Sequence, residues 1–114
     1  MRTIIKQAET FRRSLKFTDL KTGAKLDLTG CTAYSQMRNK PGGTLYDSAE
    51  CTVDTVNAVI SALWDKDLTA AWPEGPCGFD IWLVCGGEQK PIYSEECVVA
   101  VSYTDIEAIE EDSL

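Results

Sequence analysis

A chain of 114 residues, 44% of them hydrophobic, is long enough for one domain around one core, and no apolar run reaches the roughly 18 residues that a membrane-crossing helix needs. It contains no histidine, so the commonest general base and metal ligand is missing and the case for an enzyme weakens. The net charge of −7 is unevenly spread: residues 1–40 hold nine Lys/Arg against three Asp/Glu, net +6, while residues 41–114 hold two against fifteen, net −13.

Period-two alternation dominates the chain. In residues 11–17, Phe11, Leu15 and Phe17 share one phase and Arg12, Ser14 and Lys16 the other, with Arg13 interrupting the apolar phase. Residues 19–24 predict a turn in which Gly23 takes positive φ. A short return strand is expected over 25–28, then a turn at Thr29-Gly30 and a strand over 31–38. Asn39-Lys40-Pro41-Gly42-Gly43 is the strongest turn signal. Residues 44–47 read as extended, 48–57 have no clear period, and 57–63 read as a strand. Residues 65–71 predict one helical turn capped by Asp65 and stopped by the Trp72-Pro73-Glu74-Gly75-Pro76 stretch. In 78–85 the alternation is clearest: Phe79, Ile81, Leu83 and Cys85 on one face, Asp80, Trp82 and Val84 on the other. Residues 86–89 predict a hairpin loop and 90–103 a long strand, bulged around Glu95-Glu96. Residues 104–114 form an acidic tail, in which Thr104 and Glu107 fit a capping box and Ile106 and Ile109 share one side of a short helix.

Seven or eight short strands with almost no helix predict an all-β chain: an immunoglobulin-like antiparallel β-sandwich over residues 1–103, with a jelly roll as the alternative topology, and the acidic tail at 104–114.

The residues offer little chemistry. Cys31, Cys51, Cys77, Cys85 and Cys97 are widely spaced, with no CxxC pair. Their odd number, and a start (MRTIIKQAETFRR) whose charges interrupt any secretory apolar stretch, favour reduced cysteines acting as small apolar residues. Carboxylates pair at Asp65/Asp67, Glu95/Glu96 and Glu110/Glu111/Asp112, but adjacent acids on a strand face opposite ways and solvated charge explains them. A hydrolase using such a pair is the reading from the enzyme class, and no nucleophile context supports it. Gly42-Gly43 and Gly86-Gly87 lack the lysine and helix of a phosphate loop. Neither catalysis, a metal nor a cofactor is expected. A chain this acidic is not expected to bind nucleic acid. Arg12, Arg13 and Lys16 suit an acidic protein surface better. Trp82, opposite the Phe79 face, marks a second covered or coverable surface. With Ile106 and Ile109 of the tail, these are the candidate partner-binding residues.

Three segments carry a resemblance. IKQAETF leads into Leu15-Lys16-Phe17-Thr18-Asp19. LDLTG is followed by Thr32 to Arg38. Late in the chain, Pro73-Glu74-Gly75 precedes Phe79-Asp80-Ile81. Spanning roughly residues 4–101, this order resembles small β-sandwich virion proteins of tailed phages, and in particular the N-terminal domain of phage baseplate upper proteins. The family commonly has glycine where this chain has Ala8, and the five cysteines and acidic tail are not features of it. The resemblance implies an immunoglobulin-like sandwich with a structural role, protein partners, no cofactor and no catalysis. It carries no named binding residues.

The expected function is therefore that of a non-enzymatic virion structural protein, made in the host cytoplasm. Capsid decoration, a cement bound to the major capsid protein, is the first reading, and a baseplate or tail-fibre adaptor bound to tail proteins is the alternative. A homo-oligomer fits the split charge.

Overall fold

The computed structural model of the chain describes residues 2–40 and 42–103. In order they form β1 (Thr3–Lys6), β2 (Phe11–Lys16), β3 (Cys31–Asn39), β4 (Leu45–Ser48), β5 (Glu50–Asp54), β6 (Val59–Trp64), α1 (Lys66–Thr69), β7 (Gly75–Cys85) and β8 (Glu88–Ala100). The strands make a five-stranded sheet, β1-β8-β7-β3-β4, and a three-stranded sheet, β2-β6-β5. These sheets pack face to face as an all-β sandwich, with β1 lying parallel to β8 and the other paired strands antiparallel.

Alternation explains the packing. The five-stranded sheet turns Ile5, Ala33, Met37, Phe79, Ile81, Cys97 and Val99 inward, and the three-stranded sheet turns Phe11, Ile60, Ala62 and Trp64 to meet them. Trp64 is the hub: its ring lies 5.0 Å from Phe79 and 5.7 Å from Phe11. Its indole N–H donates to the Asp47 carbonyl at 3.0 Å, and that of Trp72 donates to the Asp47 carboxylate at 2.7 Å. Two large rings are thus buried with their polar handles satisfied. The helical turn α1 closes one end through buried Thr69, whose hydroxyl donates to the Glu9 carbonyl at 2.6 Å. Asp65 occupies the N-cap position but makes no side-chain capping bond.

Several expectations change. Residues 25–28 form no strand: only an isolated bridge, Thr18 to Lys25, pairs there, while Leu28 plugs the core and Leu26 stays exposed. The unclear stretch 48–57 contains β5. The hairpin between β7 and β8 is just Gly86-Gly87, both at positive φ, which suits the twist of the flanking strands. The bulge in β8 is at Ile92, not at Glu95-Glu96: Ile81 faces Tyr93 and Trp82 faces Pro91, leaving Ile92 extra.

The cysteines are the largest correction. Cys31 and Cys85, 54 residues apart in sequence, form a disulfide. They are register partners on β3 and β7 with Cα atoms 4.3 Å apart, the spacing of a narrow antiparallel pair. Only strand pairing makes them neighbours, so their spacing in sequence hid the bond. Cys51, Cys77 and Cys97 are free thiols.

Candidate functional site

The face of the five-stranded sheet turned away from the core is the richest surface. Alternation sends Tyr34, Gln36 and Arg38 of β3 outward, with Gly78, Asp80 and Trp82 of β7 and Ser94 and Glu96 of β8. Register arranges them in rows across the strands. Tyr34 faces Trp82, Gln36 faces Asp80 and then Ser94, and Arg38 faces Gly78 and then Glu96. A groove of about 600 Å³ runs over these rows. Gly78 lies in its lining, where even a methyl group would come within 3.2 Å of the Glu95 carbonyl.

The polar part of the groove is tied down. Arg38 donates to Gln36 Oε1 at 2.7 Å and to the Gly43 carbonyl at 2.8 Å. Ser94 donates to Asp80 Oδ1 at 2.5 Å, and Lys40 pairs with Glu96. At the other end the aromatic pair stays open, Tyr34 57% and Trp82 39% exposed. An aromatic cross-strand pair over a preset polar floor gives up little conformational freedom when covered, and each ring contributes on the order of 1 kcal/mol through the area it still has to bury.

The candidate partner-binding residues lie on different surfaces. Arg12 and Lys16 project from the outer face of the three-stranded sheet, beside the hydroxyl pair Ser14 and Ser61 at 2.8 Å. That is the opposite side of the sandwich from Trp82. Arg13 points inward instead. Its guanidinium clasps Glu95 with two bonds of 2.7 Å and lies 4.6 Å over the Phe11 ring. Ile106 and Ile109 lie outside the described residues. The structure thus separates Trp82 from Arg12 and Lys16 and commits Arg13 within the molecule.

Glu95 is the most perturbed carboxylate. Burial pushes its pKa up, but bonds from Arg13, Thr3 and Tyr93 overcome this and hold it at about 2. The same bonds raise the Arg13 pKa. Glu96 points outward to Lys40, so the adjacent acids Glu95 and Glu96 sit on opposite faces and share no proton. Among the described residues no cluster of three or more Cys, Asp or Glu side chains is arranged to hold a metal ion, and no helix is long and apolar enough to cross a membrane.

Sequence reasoning placed Trp82 on the outward face of β7 but did not single out Tyr34, Gln36 and Asp80 beside it. A usable signal existed in the phase of residues 31–38, which pairs small or apolar residues (Cys31, Ala33, Met37) against Tyr34, Gln36 and Arg38. What it could not supply was the register that sets Tyr34 beside Trp82. No protein-family model and no curated protein matches the sequence.

Proposed function

We propose that this chain is a non-enzymatic structural protein of a tailed-phage virion, one that decorates the capsid by docking the groove face of its five-stranded sheet on the major capsid protein. The observation that carries this reading is the open Tyr34–Trp82 pair over a tied polar floor, a surface suited to contact. Small contacts of this kind gain strength when symmetry repeats them over a shell.

Two features support the phage resemblance behind it. Two packed sheets, β2-β6-β5 against β1-β8-β7-β3-β4, make an all-β sandwich, the fold class that the resemblance implies. Ala8, where the resembling family commonly has glycine, has φ of 68°, a left-handed position that glycine takes without cost. The departure in sequence therefore falls at a place where the backbone still has the glycine-like conformation.

A baseplate or tail-fibre adaptor is the second reading, favoured by the order of the IKQAETF, LDLTG and late PEG segments. Copy number per virion, measured on a stained gel against the major capsid band, separates the two. Hundreds of copies support decoration. A dozen or fewer would rule it out and leave the adaptor. Loss of the protein should lower the heat resistance of the capsid under the first reading only.

A further inference from the structure

Three cysteines take no part in the Cys31–Cys85 bond, and two of them meet. Cys77 of β7 and Cys97 of β8 are register partners on the inward face, both with zero solvent exposure. Both side chains therefore face the core side by side across the β7–β8 pair. Directly opposed residues of antiparallel strands have Cα atoms about 4.5 or about 5.5 Å apart, and both distances lie within the span of roughly 4.4–6.8 Å that disulfides bridge. Cys31–Cys85, at the other end of β7, already shows a cross-strand bond in this sheet.

We propose that Cys77 and Cys97 are a second disulfide site, closed by thiol–disulfide exchange with a low-molecular-weight disulfide of the glutathione type. With both bonds in place β7 is joined to β3 at its C-terminal end and to β8 near its N-terminal end.

The chemistry balances with that one co-reactant. The Cys77 thiol loses its proton, and its thiolate attacks one sulfur of the glutathione disulfide. The S–S bond breaks, one glutathione thiolate leaves and takes up the proton, and a mixed disulfide remains on Cys77. Cys97 then displaces the second glutathione in the same way. Two protein thiols are oxidised and one small disulfide is reduced to two thiols. The exchange balances equally with Cys97 attacking first, and both thiols are equally buried. Both sulfurs are shielded, so exchange waits on an opening of β8 from β7 and is slower than at half-buried Cys51. The site does not depend on the virion reading.

The test uses the full chain as Cys51→Ser, which removes the third thiol, incubated natively with oxidised glutathione, acid-quenched, alkylated and cleaved after glutamates without reduction. Fragment 75–88 contains both Cys77 and Cys85, fragment 10–50 contains Cys31, and fragment 97–107 contains Cys97. The expected product is 75–88 bonded to both other fragments, with the intact chain lighter by about 2 Da and the Tm raised by about 10 °C. The same chain as Cys51→Ser/Cys97→Ala should show neither the three-fragment product nor the Tm gain. Native protein whose Cys77 and Cys97 remain separately alkylated or glutathionylated, after both long incubation and oxidative refolding, would overturn the proposal.

Discussion

Glu95→Gln tests the part-buried Arg13–Glu95 ion pair across the sandwich and has a signature in pH. In the folded chain the Glu95 carboxylate has a pKa of about 2 against an ordinary value of 4.5. Its side chain is 11% exposed, so little solvent screening applies. A depression of about 2.5 units at 1.36 kcal/mol each corresponds to about 3 kcal/mol of stability at neutral pH. The sign follows from proton uptake. Between pH 4.5 and about 2 the unfolded chain binds the proton and the folded chain does not, so stability falls as pH falls through that window. Glu95→Gln removes the ionising group and should lose about 3 kcal/mol at pH 6. Its deficit relative to the parent should then shrink steadily below pH 5 and nearly vanish by about pH 2. Urea unfolding followed by fluorescence of buried Trp64 and Trp72, at pH 6, 4.5 and 3, measures the gap, and the other acids cancel in the comparison. A gap that stays constant from pH 6 to pH 3, or one below about 1 kcal/mol at pH 6, would refute the assignment.

Cys31→Ser opens a loop of 54 residues and should cost about 4 kcal/mol by chain entropy, read as a lower urea midpoint that added reductant no longer changes. Ala8→Gly should stabilise by up to about 1 kcal/mol because the left-handed strain of Ala8 outweighs the added freedom of the unfolded chain, and a loss in the same assay would show that the methyl group has a packing role. Trp82→Ala together with Tyr34→Ala should leave the urea midpoint within about 1 kcal/mol of the parent while lowering occupancy on virions or capsids at least tenfold, checked by co-sedimentation. Unchanged occupancy would remove the groove face from the docking proposal.

What could be read in advance was local. Residues 78–85 alternate so plainly that the faces of β7 were assigned correctly, and with them the outward position of Trp82. The turn at Gly23 followed from the backbone freedom of glycine, whereas the stop expected over 72–76 runs into β7, which already begins at Gly75 and pairs Pro76 with Val98. What failed was non-local. A four-residue strand has too few positions to show a period, so β1 and its parallel pairing to β8 went unseen. Arg13 looked like a defect in an apolar phase because its partner, Glu95, is 82 residues away and on the other sheet. The disulfide failed for the same reason. The 25–28 stretch misled in the opposite way: Leu26 and Leu28 share a strand-like phase, yet only Leu28 reaches the core.

The basic third of the chain acquires a structural explanation from the same geometry. β2 is an edge strand, paired only to β6 within its sheet, and so presents a row of backbone groups to any passing strand. Arg12 and Lys16 stand on its outer face and Arg13 points inward, the two devices by which sheet edges discourage strand addition. Arg13 can be turned inward only because Glu95 meets it, and Glu95 can be buried there only because Arg13, Thr3 and Tyr93 satisfy it. Positive charge from the first forty residues and negative charge from the remainder are therefore paired within the chain, part-buried at Arg13–Glu95 and exposed at Lys40–Glu96. The charge split in the sequence does not by itself require an acidic partner for β2. It leaves the docking proposal to rest on the groove face, where Trp82 and Tyr34 stand open.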